Sequence, residues 1–181
     1  MNSRHFPLTK SYDWISREKK NLFIVDFTAR KRSDWDKPIL RIYGAYYRQE
    51  GNYAFSVTVD KGILSIYAPH FFSRYKERIL KDTFLSKEEV IRHYFRNDWG
   101  FMGTVVNRKF ENVLFSFEDK SENNEIDFVA ATSLGYCFGI KQGKVNIIKT
   151  IISHEMLFYD QKEVFADLRR AFNEANRERY S

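Results

Sequence analysis

The sequence predicts an α+β fold, with antiparallel β meanders before and after a central pair of helices and a C-terminal helix. Three observations lead there. Runs rich in aromatic and β-branched residues recur along the chain, separated by short Gly-containing turns. Two capping-box patterns, Ser86-Lys87-Glu88-Glu89 and Asp160-Gln161-Lys162-Glu163, each precede an apolar stripe at helical spacing. The 181 residues are 43% hydrophobic and 17% aromatic with 8 Gly and 3 Pro, a composition that builds one core and excludes disordered, collagen-like and linker-rich chains.

Taken in order, Ser11 to Lys20 reads as a short helix with Ser11 as N-cap and Trp14 and Ile15 facing inward. Asn21 to Ala29 is a strand, and Ala29 to Pro38 a charged loop. Ile39 to Arg48, Tyr53 to Val59 and Ile63 to Ala68 follow as strands, separated by turns at Glu50-Gly51-Asn52 and Asp60-Lys61-Gly62. Within the first of these, Tyr43, Ala45 and Tyr47 share one face and Tyr46 the other, because side chains alternate along a strand.

Pro69 suits the first position of a helix running to Leu80, since its missing N–H would be unpaired there. The Ser86 box opens a second helix with Val90, Ile91, Tyr94 and Phe95 inward, ending near Asn97 to Gly100. Strands are expected over Phe101 to Asn107, Asn112 to Phe117, Ile126 to Ala131, Leu134 to Lys141 and Val145 to Ile152, with a polar loop at Lys120 to Asn124 and a turn at Gln142-Gly143. The Asp160 box opens the last helix, with Val164, Phe165, Leu168 and Phe172 inward. Residues 1–181 read as a single domain, within which 1–65 form an N-terminal β part, 66–157 a helix plus β-meander core, and 161–178 the C-terminal helix.

The net charge is +6, and residues 1–48 hold 11 Lys and Arg against 5 Asp and Glu, so the remainder is balanced at 19 against 19. The excess therefore lies in the N-terminal third. Lys19, Lys20, Arg30, Lys31 and Arg32 flank the apolar run Leu22 to Phe27, and with Arg41 and Arg48 they are the candidates for nucleic-acid binding. No apolar run approaches the roughly 18 residues of a spanning helix, and residues 1–20 lack the apolar core of a signal peptide, so no membrane partner and a cytoplasmic location are expected. The lone Cys137 excludes an intrachain disulfide and a cysteine zinc site.

The chemistry-bearing cluster is on the first central helix, where His70, Arg74 and Arg78 stand at i, i+4 and i+8 and line one face. A histidine in the first turn is held neutral by the positive end of the helix dipole, as a general base requires, and arginines one and two turns deeper supply forked contacts to phosphate. No cofactor or metal is expected. His154-Glu155 fails the HExxH pattern because position 158 is Phe, and phosphate-binding Gly loops, nucleotide-binding fingerprints and G-x-S-x-G are absent.

A helix with His70, Arg74 and Arg78, a second with Ser86 to Val90, and a strand carrying Lys149-Thr150 together resemble the RelE/barnase-like superfamily of metal-independent ribonuclease toxins. The resemblance covers about residues 66 to 157, and the first 65 residues have no counterpart in it. It implies RNA as substrate, a protein partner of the antitoxin type, His70 as acid or base, Arg74 and Arg78 on phosphate, and Lys149 or Thr150 presenting a polar group. Beside the ribonuclease reading stand two others: a non-catalytic nucleic-acid-binding protein using the basic N-terminal third, and a protein-interaction module without chemistry.

Overall fold

In a computed structural model that describes residues 5–18, 21–82, 84–97, 101–119 and 125–180, nine strands form one sheet. They are β1 (Leu8–Ile15), β2 (Leu22–Ala29), β3 (Ile39–Arg48), β4 (Gly51–Thr58), β5 (Ile63–Tyr67), β6 (Met102–Val105), β7 (Phe128–Ala131), β8 (Gly135–Gln142) and β9 (Val145–Ser153). Their order is β1-β2-β3-β4-β5-β9-β8-β7-β6, and every neighbouring pair is antiparallel except β5 and β9. The helices are α1 (Pro69–Tyr75), continued by a π turn at Lys76–Leu80, then α2 (Lys87–Asn97), α3 (Arg108–Leu114), α4 (Tyr159–Val164) and α5 (Ala166–Tyr180). The class is α+β, and among the described residues no helix is long and apolar enough to cross a membrane.

The turn chemistry is as the residues demand. Gly62 and Gly143 have φ of 60° and 59°, and Gly51 has φ of 137° where the β3–β4 hairpin closes against Pro69, so a Cβ there would lie 2.9 Å from the proline ring. Ser86 and Glu89 make the reciprocal box, with the Ser86 N–H on the Glu89 carboxylate at 2.7 Å and the Glu89 N–H on Ser86 Oγ at 3.3 Å.

Two expected elements are corrected. Residues 8–15 form a strand where the sequence suggested a helix from Ser11 to Lys20. Tertiary pairing overrides the local helical pattern here: Trp14 and Tyr12 pack on Phe23 and Phe27 of β2, while on the other face Asp13 takes a forked contact from Arg92 of α2 at 2.6 and 3.2 Å. Beside it Asp26, fully buried, accepts from Ser11 Oγ, Tyr43 OH and Arg96 Nε, and burial followed by that carboxylate pushes the Tyr43 phenol well up. The strand expected at Asn112 to Phe117 is instead the end of helix α3, to Leu114, and the turn that follows it. Asn107 caps it, accepting from the Lys109 and Phe110 N–H groups at 2.9 and 3.2 Å, and Phe110, Val113 and Leu114 bury one face at helical spacing. A third expectation shifts: the last helix starts at Tyr159, with the Phe158 N–H on Gln161 Oε1, and is interrupted at Phe165. The polar loop 120–124 and residues 98–100 lie outside the described residues.

Two apolar clusters sandwich part of the sheet. On one face α1 and α2 bring Phe71, Tyr75, Tyr94 and Phe95 onto Ile24, Tyr43, Ala54 and Tyr67 of the N-terminal strands and onto Cys137 and Ile148. On the other, α3 and α5 with Phe165 cover Val129, Tyr136, Phe138 and Ile152 of the C-terminal strands only.

Candidate functional site

The site forms where β5 leaves the sheet and its parallel neighbour β9 continues. The Ala68 N–H donates to the Ile148 carbonyl at 2.9 Å as the last rung, and Pro69 then turns the chain into α1. Strand β9 runs on to Ser153, so its edge needs donors that a strand no longer provides. Arg78, buried on the π turn, supplies one: its Nη1 donates to the Ile151 carbonyl at 2.9 Å. The same guanidinium pairs with Glu118 at 2.7 Å and reaches the Phe117 carbonyl at 3.4 Å. Glu118 in turn accepts the Thr150 hydroxyl at 2.8 Å and Arg74 Nη2 at 3.4 Å. A buried ion pair holds together only when its remaining donors and acceptors are met, and here they are met from three elements.

Above this network lies a cleft of about 200 Å³ lined by Ala68, His70, Arg74, Glu118, Lys149 and Thr150, with Leu114 and Ile126 as apolar walls. Lys149 lies beside the register shift between β8 and β9, where Phe138 faces Thr150 and Gly139 faces Ile148, and its Nζ donates to the Glu125 carbonyl at 2.8 Å. His70 is exposed at the mouth and also lines a second, larger groove of about 750 Å³ shared with Ser73, Lys76 and Glu77. Among the described residues the cleft is lined by two cations, Arg74 and Lys149, and one carboxylate, Glu118, with Arg78 paired to that carboxylate behind it; Glu77 meets Arg74 at 3.3 Å on the solvent side.

The structure thus brings His70, Arg74, Arg78, Lys149 and Thr150 together, although α1 and the end of β9 are some eighty residues apart in the chain. It separates them by role. Arg78 lies behind the cleft, holding Glu118 and the β9 edge, and Thr150 lines the cleft with its hydroxyl given to Glu118, while His70, Arg74 and Lys149 present charged or titratable groups along the same lining. Glu118 is the residue that sequence reasoning missed. The helical spacing of Phe110, Val113, Leu114 and Phe117 carries the signal, because it continues the α3 turn through Glu118, whose N–H bonds the Leu114 carbonyl at 3.0 Å.

The basic candidates are dispersed. Arg30, Lys31 and Arg32 follow β2, and Arg30 and Arg41 line a cavity of about 750 Å³ at that end of the sheet, on the α2 side. Arg48 is at the other end of β3, about 23 Å from Arg41 along the strand. Lys19 and Lys20 lie outside the described residues. His154 faces Arg169, whose Nη2 is 2.6 Å from its Nε2; burial first, then that cation, lowers its pKa to about 4, and among the described residues no group of three metal-ligating side chains occurs. Cys137 is buried beside the Tyr94 hydroxyl.

The chain matches no family model, no curated protein and no solved structure.

Proposed function

We propose that the cleft between α1 and β9 binds the phosphodiester of RNA and cleaves it without a metal ion. The observation that carries this reading is the convergence of a histidine, an arginine and a lysine from two distant segments on one cleft of about 200 Å³, with the arginine oriented by Glu118. In the reaction His70 takes the proton of the 2′-hydroxyl, the 2′-oxygen bonds to phosphorus, and the bond from phosphorus to the 5′-oxygen breaks. The leaving oxygen takes up a proton from solvent water while His70 gives the one it took back to solvent, leaving a cyclic 2′,3′-phosphate, a free 5′-hydroxyl and the enzyme as it began. Arg74 and Lys149 stabilise the charge on the equatorial oxygens of the five-coordinate intermediate. Arg78 and Thr150 are positioning residues, fixing Glu118 and through it the plane of the Arg74 guanidinium.

The test is cleavage of a labelled mixed-sequence RNA in EDTA by the wild type and by His70→Ala, both checked for folding by circular dichroism. Loss of a general base lowers the rate by about 100-fold or more. Equal rates in the two proteins, or no cleavage by the wild type, overturn the reading.

A further inference from the structure

The face of β1–β5 turned away from α1 and α2 contributes no residue to either apolar cluster. Its side chains are nevertheless apolar and ring-rich. Centroid distances link Trp14 to Phe23 at 5.0 Å, Phe23 to Phe55 at 5.6 Å, Phe55 to Tyr46 at 6.4 Å and Tyr46 to Tyr53 at 5.4 Å, the last pair stacked at 17°. The Arg48 guanidinium lies over both tyrosines, at 5.5 and 5.8 Å. By the strand registers, the charged residues this face of β1–β5 and β9 carries are Lys10, Arg48 and Lys149, with no Asp or Glu; Glu50, in the adjoining turn, accepts from the Tyr53 hydroxyl at 3.5 Å.

The track points at the cleft. Tyr46 pairs with Tyr53, Ala54 with Tyr67, and Tyr67 with Ile148, so one further step of the register sets Tyr53, Ala68 and Lys149 abreast. Ala68 and Lys149 both line the cleft. Two strand spacings, about 10 Å, thus separate the backbone of the stacked tyrosine from that of the cleft lysine.

From this row we infer that the ring track is the bed for single-stranded RNA flanking the scissile phosphate, with Tyr46, Tyr53 and Arg48 holding the nucleotide nearest the cleft. The inference rests on the ribonuclease reading and adds the form of the substrate. Every base has a face that stacks on an aromatic ring or a guanidinium plane, so the bed takes any sequence, but only where the bases are unpaired. A strand face with cations and no carboxylates is complementary to a phosphate backbone, and a duplex, whose bases are hidden, gains nothing from the rings.

The experiment measures binding apart from cleavage. A short labelled 2′-O-methyl oligoribonucleotide, which lacks the attacking hydroxyl, is titrated by fluorescence anisotropy with the wild type, with Arg48→Gln and with Tyr46→Leu/Tyr53→Leu, beside a hairpin duplex of the same length. Leucine keeps the face apolar, and thermal melting verifies the fold. The expected result is roughly tenfold weaker binding by the double variant, a smaller loss for Arg48→Gln, and weaker wild-type binding to the duplex. Unchanged binding by the double variant, or a wild-type preference for duplex, overturns the bed while wild-type cleavage in EDTA leaves the ribonuclease reading standing. A wild type that neither cleaves RNA nor binds the single strand overturns both. A wild-type dimer in sedimentation that the tyrosine changes dissociate, with RNA affinity unaltered, assigns the face to a second copy of the chain and overturns the bed.

Discussion

The two halves of the sheet are built from similarly apolar strands but are covered differently. Around β7, β8 and the end of β9, helices lie on both faces, and all four residues of β7, Phe128–Ala131, are buried. Among the described residues only one face of β2–β4 is covered, and Phe23, Tyr46, Tyr53 and Phe55 on the other remain partly open to solvent. A sheet with one wet face ordinarily alternates apolar with polar residues, and here the wet face is as apolar as the dry one. Rings that a fold leaves uncovered signal a contact the fold itself does not make.

Substitutions that break this contrast have graded effects. Phe165 is fully buried and stacked on Tyr136 at 4.0 Å, so Phe165→Ala costs about 3–5 kcal/mol, whereas Phe55→Ala on the open face costs about 1 kcal/mol or less by denaturant unfolding. Equal costs would erase the distinction between the halves. Arg78→Ala, which leaves Glu118 buried without its nearest cation, costs about 3–5 kcal/mol and lowers the melting temperature by roughly 10 °C. A loss under about 1 kcal/mol would mean that the β9 edge is closed by something other than this network.

Acidity sharpens the comparison more gently. The His154 ring, in the doubly covered half, resists protonation until about pH 4, because burial and Arg169 disfavour its charged form, whereas the unfolded chain takes up that proton near 6.5. Between those values the unfolded state binds the extra proton, so stability falls as pH drops, by about 1–2 kcal/mol in all. Unfolding series from pH 7 to 4 should show this slope in the wild type and a flatter one in His154→Gln.

How much of this was legible in the chain follows from how local each feature is. The glycine turns, the Ser86 and Glu89 box and the buried stripe of α2 depend on residues within a few positions of one another, and they stand where the residues indicate. Strand β1 was not legible, because Ser11, Trp14 and Ile15 satisfy a helical pattern, and only the free edge of β2 and the Arg92 guanidinium make an extended strand better. Residues 112–117 misled through the alternation of Val113, Phe115 and Phe117, which the Asn107 cap outweighs. The helical spacing set His70, Arg74 and Arg78 on one helix but could not reveal Glu118, which meets both arginines only because β5 and β9 part company beside it. Which face lies open was not legible for a related reason: Phe23, Val25 and Phe27 read the same whether or not a helix lies above them.

The four-residue parallel ladder from Leu64 to Tyr67 on Val145 to Ile148 carries one more consequence. The first five strands pair with neighbours close in sequence, as do β7, β8 and β9, but the ladder joins positions 81 residues apart, a closure whose entropy must be met before its contacts repay it. During synthesis Ala68 and His70 leave the ribosome long before Lys149, so a growing chain carries half a cleft and no complete one. Whatever chemistry the cleft performs is thereby withheld until the chain through Thr150 has been made and β9 has met β5.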